Sequence, residues 1–179
     1  MGVEDLRNDI MVGQKKGLPF ILASVVIWLL IFGVGLLDLP LPLGNLLVFC
    51  CSAPLLPISW LLGRRMGVDI FSKEHQLGQL GLLFSVNQLL YLLIVMWVFR
   101  AVPEKMVMVY AMVFGAHLLP FSWLYKSRAY LFFAVAIPIL ALILGSLFQG
   151  TVVAGALVLV ELVFAWLLRG EVLALGARA

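Results

Sequence analysis

Charge is scarce in this sequence. Of its 179 residues, 12% are Asp, Glu, Lys or Arg, whereas 64% are hydrophobic. A typical soluble domain has about 25% charged residues and about 45–50% apolar ones. So few charges cannot build a water-soluble surface, and the chain is long enough for only one compact bundle. The composition therefore predicts an integral membrane protein with no separate soluble domain.

Residues that bind metals or cofactors are scarce too. Two histidines are too few for a zinc hydrolase, which needs three protein ligands, and only His117 falls within an apolar run. Cys50 and Cys51 are adjacent, which gives no disulfide framework and no metal spacing. The sequence contains no phosphate-binding glycine loop and no Gly-x-Ser-x-Gly elbow. We therefore expect neither a metal nor a cofactor.

The net charge of +3 does not indicate nucleic-acid binding. The basic residues lie in short clusters between apolar runs, with no basic face that alternates with aromatic residues. Clusters of this kind orient membrane proteins in the bilayer. We expect no nucleic acid among the partners, and membrane lipid as the surroundings.

Six apolar runs are long enough to cross a bilayer, whose core of about 30 Å needs roughly 20 helical residues. Backbone polar groups must be paired in lipid, so these runs are expected to be helices. The predicted spans are residues 18–37, 43–63, 80–99, 105–125, 129–148 and 151–168. Because alternate connections are very short, consecutive helices should be neighbours. The predicted fold is an all-α membrane protein with six transmembrane helices as three antiparallel hairpins.

The distribution of lysine and arginine predicts the orientation. Ten of these residues lie on one side of the predicted spans, and only Arg100 and Lys105 lie on the other. The positive-inside rule then places both termini in the cytoplasm. Residues 1–17 are predicted to be a cytoplasmic amphipathic segment with a helix over 3–13, residues 18–168 the six-helix bundle, and residues 169–179 a cytoplasmic tail. The ten residues are Arg7, Lys15, Lys16, Arg64, Arg65, Lys73, Lys126, Arg128, Arg169 and Arg178.

A short segment occurs twice. Residues 55–61, LLPISWL, return at 118–124 as LLPFSWL, with six of seven positions identical. One interpretation is a parallel internal repeat of helical hairpins. The alternative is convergence, because tryptophan favours the membrane interface and proline is tolerated in membrane helices. The small-residue spacings at 141–145 and 151–155 predict close helix contacts, within the bundle or in a homodimer.

Four strongly polar side chains are expected at membrane depth, and all lie about 10–12 Å from the predicted cytoplasmic ends of their helices. They are Asn87 and Gln88 in the third helix, His117 in the fourth and Glu161 in the sixth, and Tyr91 could extend this layer. A buried carboxylate is costly, so Glu161 should be protonated, paired with His117 or hydrogen-bonded by an amide. The alternative is that these side chains only join helices.

Three hypotheses for function remain open. The first is binding or transport of a small molecule, proton or cation through a polar midplane cavity around Glu161 and His117 that opens toward the cytoplasm, with Glu161 as the carrier. The second is a structural or regulatory membrane protein with a protein partner. The third is an intramembrane enzyme that modifies a lipid, with His117 and Glu161 as acid and base. A non-enzymatic role is favoured, and catalytic residues are unknown.

Three segments also resemble a known family. Arg7 and Asp9, the segment 14–20 (QKKGLPF) and the segment 87–91 (NQLLY) are similar to an uncharacterised bacterial family of six-helix integral membrane proteins. The resemblance covers nearly the whole chain. It implies a bacterial inner membrane and the same six spans, but it carries no established activity and no catalytic residue.

Overall fold

The computed structural model describes residues 2–72 and 75–176, and within these ranges it contains helices and turns but no strand. Lys73 and Arg178, two of the ten basic residues that predict the cytoplasmic side of the membrane, lie outside the described residues. The helices are α1 (Val3–Gly13), α2 (Leu18–Gly35), α3 (Leu41–Ser52), α4 (Leu55–Arg65), α5 (Gly78–Ala101), α6 (Met106–His117), α7 (Leu119–Leu124), α8 (Arg128–Leu147) and α9 (Gly150–Gly176). Two short 3-10 turns, Lys15–Gly17 and Pro103–Lys105, precede α2 and α6.

Six helical segments among the described residues are long and apolar enough to cross a membrane, which is the number that the sequence predicts. They are Lys15–Gly35, Leu41–Arg65, Gly78–Ala101, Pro103–Leu124, Arg128–Leu147 and Gly150–Leu175. The largest difference from the sequence prediction is at the end of α9, which continues past residue 168. Arg169 and Glu171 end the apolar run, but neither breaks a helix and no proline follows.

Four helices form the centre of the bundle. Helix α2 packs along α9, α6 packs along α8, and both α6 and α8 also contact α9. Helices α3 and α4 lie against α2, while α5 lies against α6. Trp28 of α2 is buried in this centre, with its ring 5.7 Å from the rings of both Tyr110 and Phe114. The best-packed part of the protein is therefore the contact between α2, α6, α8 and α9.

Prolines interrupt the second and fourth spans. The second span breaks between α3 and α4, and the fourth breaks at Leu118, between α6 and α7. Pro57 and Pro120 follow these breaks by a few residues, and each lacks the N–H that would bond to the carbonyl four residues earlier. By contrast, Pro138 lies inside α8, which stays continuous. Both copies of the repeated segment thus follow a helix break, whereas a repeat of whole hairpins stays a prediction.

Both small-residue spacings are used for contacts within the chain. A Cβ added at Gly145 of α8 would lie 2.4 Å from the Met108 side chain of α6. A Cβ added at Gly155 of α9 would lie 3.0 Å from the ring of Phe32 on α2. Thr151 Oγ1 also donates to the Gly35 carbonyl at 2.9 Å. These small residues therefore join helices of one bundle.

Candidate functional site

A carboxyl group is buried between α2 and α9. Glu161 of α9 is 0% exposed, and its Oε2 forms a hydrogen bond with Ser24 Oγ of α2. Ser24 Oγ also lies 2.7 Å from the carbonyl oxygen of Ile21, one turn earlier on its own helix. A hydroxyl group has a single proton to donate. Ser24 can therefore donate to the Ile21 carbonyl or to Glu161, but not fully to both.

The second oxygen of this carboxyl group is unpaired. Glu161 Oε1 has no hydrogen-bond partner among the described residues, and no ion pair within those ranges includes Glu161. Ile21 and Phe164, one turn away on the two helices, are buried apolar residues. Transfer of an isolated carboxylate into such surroundings costs far more than transfer of the neutral acid. The surroundings of Glu161 therefore favour its protonated form.

His117 lies at the end of α6, where Pro120 breaks the fourth span. The Leu118 N–H bonds to the Gly115 carbonyl, at 3.1 Å, and His117 Nδ1 donates to the Phe114 carbonyl. The imidazole ring lies 5.4 Å from the ring of Phe114, measured between centroids. Within the described residues no hydrogen bond or ion pair joins His117 to Glu161. The histidine thus satisfies a backbone carbonyl at the break.

The polar side chains of α5 lie apart from the carboxyl group. Helix α5 packs mainly against α6 and α7, whereas Glu161 lies in the contact of α2 with α9. Asn87 and Tyr91 are exposed, and Gln88 is half-buried. None of the three has a hydrogen-bond partner among the described residues. The five predicted site residues are therefore found in three places, and only Glu161 meets another polar side chain.

A cavity of about 500 Å³ opens at the end of the bundle where Lys105 lies. Its polar lining comes from Asn45, Glu104, Lys105, Gln149 and Thr151. Ile31 of α2 and Ala154 of α9 also line the cavity. Ile31 lies seven residues after Ser24 on α2, and Ala154 lies seven residues before Glu161 on α9. Seven helical residues span about 10 Å. The buried residues Trp28 and Leu157 occupy this interval, so the cavity and the carboxyl group share one helix contact but are separated.

A buried ion pair joins the 3-10 turn before α2 to helix α9. It lies at the basic end of the bundle, which we define by Lys15, Lys16, Arg64, Arg65, Lys126, Arg128 and Arg169. Lys16 Nζ lies 2.7 Å from Glu171 Oε2, and the lysine side chain is 6% exposed. Glu171 Oε1 accepts a hydrogen bond of 3.0 Å from the Ala129 N–H, in the first turn of α8. This pair fixes the start of α2, the start of α8 and the end of α9 to one another.

A left-handed turn directs Lys16 inward. Lys15, Lys16 and Gly17 have φ values of 45°, 52° and 69°, a conformation that is costly for residues with a Cβ. Gly17 is also required by space, since a Cβ there would lie 2.9 Å from Tyr130 Oη and 3.0 Å from the Tyr125 ring. The segment QKKG therefore turns the chain sharply from α1 into α2 and buries the second lysine.

Helix α1, which has the bounds predicted for 3–13, is bound to the basic end by polar contacts. Arg7 donates to the Trp123 carbonyl from Nε at 2.9 Å and from Nη2 at 2.5 Å. Its guanidinium also lies 4.4 Å from the centre of the Trp123 ring, a cation–π contact. Lys126 pairs with Glu4 and donates to Asn8 Oδ1 at 2.8 Å. These contacts hold α1 against the carboxyl end of α7.

We predict that acid loosens α1. Hydrogen bonds from Lys126 and Arg7 hold the pKa of Glu4 below its ordinary value of 4.5. A lowered folded-state pKa adds stability above the unfolded pKa, and that stability is lost as the pH falls through the folded pKa. The amides of α1 should therefore exchange faster as the pH drops below 4.5, after correction for the intrinsic rate.

The variant Glu4→Gln should show faster exchange in α1 already at neutral pH, with a smaller acid-dependent change that comes from Asp9 of α1 and its partner His75. Asp5→Asn is the matched control, because Asp5 accepts a hydrogen bond only from the Gly2 N–H among the described residues. Hydrogen exchange measured by mass spectrometry distinguishes them. Equal exchange in the wild type and Glu4→Gln would contradict the contribution of this carboxylate.

Sequence reasoning missed Ser24, Lys16 and Glu171 as members of the polar sites. Ser24 is the one hydroxyl residue in the predicted first span, so a search for polar residues of any size would have found it. No sequence signal connects Lys16 with Glu171, which are 155 residues apart.

Comparison with known proteins supports the resemblance noted in the sequence. No curated protein and no solved structure matches the chain. One family model matches residues 3–171, a range that runs from the start of α1 to Glu171 and includes Ser24, Glu161 and both members of the ion pair. The expectation of an uncharacterised family is confirmed: the chain belongs to the family of unknown function DUF7010.

Proposed function

We propose that this membrane protein binds or transports a small molecule, and that Glu161 is the group that takes up and releases the accompanying proton. The observation that carries the proposal is the state of Glu161: it is fully buried, one oxygen is unpaired and no cation lies beside it among the described residues. An ionisable residue at membrane depth without a charged partner is costly, and such a residue is by default a candidate for a functional site.

The hydrogen bonds around Ser24 fit a neutral Glu161. The acid proton on Oε2 can be donated to Ser24 Oγ, while the serine proton goes to the Ile21 carbonyl. Both protons then have acceptors, and no charge is buried. On loss of the acid proton, Ser24 would turn its hydroxyl group toward the carboxylate. Ser24 thus serves as a polar partner in either protonation state.

The cavity supplies a place for the small molecule. Its volume of about 500 Å³ falls within the usual range of ligand sites, about 300–1,000 Å³. It lies on the contact of α2 with α9 that also contains Glu161. Trp28 and Leu157 separate the cavity from the Glu161 carboxyl group. Movement of these two side chains would connect the ligand site with the proton site. Coupling would then operate through the packing of α2 against α9.

Location, topology and partners are part of the same proposal. The basic end, with both termini, faces the cytoplasm of a bacterium, and the cavity opens on the opposite side of the inner membrane. The six spans form three antiparallel hairpins, and the helix breaks before residues 55 and 119 belong to a parallel repeat. Membrane lipid surrounds the bundle.

Native mass spectrometry of the gently solubilised protein tests the proposal. We expect a discrete small-molecule adduct on the wild type whose occupancy depends on pH. Glu161→Gln keeps the size and hydrogen-bonding capacity of the side chain but cannot titrate, so the pH dependence should vanish. Asp69→Asn is the matched control, because it changes an exposed carboxyl group outside the cavity lining and should leave the pH dependence intact. The same non-specific lipid adducts on all three proteins would contradict a ligand site.

A structural role is the second candidate, and one observation favours it: the Ser24 to Glu161 hydrogen bond joins the two helices that pack along each other at the centre. Under this reading Glu161→Gln should keep wild-type stability and all functions, while a protein partner would bind α1 and the loop after α4. The enzymatic alternative has less support, since no hydrogen bond joins His117 to Glu161 among the described residues.

A further inference from the structure

Helix α5 is the least buried of the six spans. Only 11% of its apolar window is buried within the bundle, whereas the first span is 56% buried. Exposure of leucine and isoleucine to lipid is ordinary for a membrane helix. Exposure of an amide is not, because hydrocarbon offers it no hydrogen-bond partner. Asn87 lies in the middle of α5, is exposed, and has no partner among the described residues.

The exposed residues around Asn87 follow a regular spacing. Leu83, Asn87, Leu90, Ile94 and Trp97 are separated by four, three, four and three residues, and all five are exposed. This is the a/d spacing of a helix that packs along another helix in a left-handed pair. In that pattern Asn87 falls at an a position. A single asparagine at an a position sets the register and the number of helices in such pairs.

We propose that this stripe of α5 is the interface with a second copy of the same chain. Two copies inserted in the same orientation are related by a two-fold axis along the membrane normal, so their α5 helices run parallel. Each residue of the stripe then faces its own counterpart. A side-chain amide both donates and accepts a hydrogen bond, so two Asn87 amides can pair reciprocally. The second copy removes the exposed amide from lipid without any other polar residue.

Other surfaces are less suited to this contact. The small-residue spacings of α8 and α9 are filled by Met108 and Phe32 of the same chain. The opposite flank of α5 carries Leu82, Leu89 and Leu93, which are exposed and apolar, as lipid-facing residues should be. The proposal concerns the assembly of the protein and is independent of the function proposed for Glu161.

Site-specific cross-linking tests the interface. In a chain with Cys50→Ala and Cys51→Ala, the variant Asn87→Cys should form a covalent dimer in vesicles with a short thiol-to-thiol cross-linker. Leu89→Cys is the matched control: it lies at nearly the same depth but about 160° around the helix, at 3.6 residues per turn. It should stay monomeric under the same treatment. Absence of a cross-linked dimer from Asn87→Cys, or equal cross-linking at both positions, would overturn the proposal.

Substitution of the amide supplies a second measurement. Energy transfer between labelled copies in vesicles, followed as the protein is diluted with lipid, gives the dissociation constant of the dimer. Hydrogen bonds between membrane helices contribute about 0.6–2 kcal/mol, so Asn87→Leu should raise that constant about 3- to 30-fold. Asn87→Gln, which keeps the amide, should change it less. Because position 87 faces outward, neither variant should alter the folding of the bundle. An unchanged or lower constant for Asn87→Leu would count against the amide pair.

Discussion

Replacement of Lys16 by methionine is expected to destabilise the protein by about 3 kcal/mol. Removal of one member of a buried ion pair typically costs about 3–5 kcal/mol, because the partner is left charged and unpaired. The lower value applies here, since the Glu171 side chain is 25% exposed and water partly screens it. The loss should appear in unfolding by SDS in mixed micelles, as a transition at a lower SDS fraction.

The double variant Lys16→Met, Glu171→Gln shows whether the stability loss comes from the broken ion pair or from altered packing of the Lys16 side chain. Its glutamine keeps an acceptor for the Ala129 N–H but carries no charge, so no unpaired carboxylate remains. Replacement of both partners of a buried pair is often nearly neutral. We expect the double variant to recover most of the lost stability. Similar destabilisation in the single and double variants would show that the charge of Glu171 is not the cause.

Substitution of Gly115 by leucine should also destabilise the bundle, by about 3 kcal/mol, the upper end of the usual cost of overpacking. Gly115 of α6 faces α8, and a Cβ there would lie 2.5 Å from Pro138 Cδ and 2.7 Å from Ile137 Cγ2. The proline ring cannot rotate away, so α6 and α8 would have to separate. Membrane helices associate through close packing rather than burial from water, which makes this separation costly.

Gly33→Leu in α2 is the matched control, since no atom lies within 4 Å of a Cβ added there. The same side chain would then point to open space, and replacement of a helical glycine tends to stabilise by about 0.5–1 kcal/mol. Unfolding in mixed micelles compares the two variants directly. Equal stabilities for Gly115→Leu and Gly33→Leu would contradict the close contact of α6 with α8.

The spans were predictable because the bilayer imposes a simple rule on length and hydropathy. Helix ends were less predictable. Helix α9 continues past Arg169 and Glu171, where the apolar run ends, and Glu171 pairs with Lys16, a contact that a hydropathy pattern does not contain. The sequence predicts a kinked or loosened helix at Pro57, Pro120 and Pro138, since each proline removes a backbone donor. Breaks precede Pro57 and Pro120, whereas α8 stays continuous at Pro138.

The predicted polar layer shows the limit of sequence reasoning about sites. Depth along each helix placed Asn87, Gln88, His117 and Glu161 at one level, but depth does not say which way a helix face turns. Helix α5 packs against α6, and Asn87 faces outward. Glu161 meets Ser24 instead, a small residue that the search for strongly polar side chains passed over. The rotation of each helix about its axis depends on contacts between segments far apart in the chain. A single sequence does not show which segments make those contacts.

Glu161 is expected to hold a proton inside the bundle, and infrared spectroscopy of the protein at neutral pH, in bilayers of ether-linked lipids that have no ester carbonyl, tests this most directly. A protonated carboxyl group has a carbonyl stretch above the amide band, whereas ionised carboxylates absorb well below it. We predict one such band in the wild type, its loss in Glu161→Gln, and a shift in Ser24→Ala, which removes the hydrogen-bond partner. A wild-type spectrum without this band, identical in that region to the spectrum of Glu161→Gln, would contradict the claim.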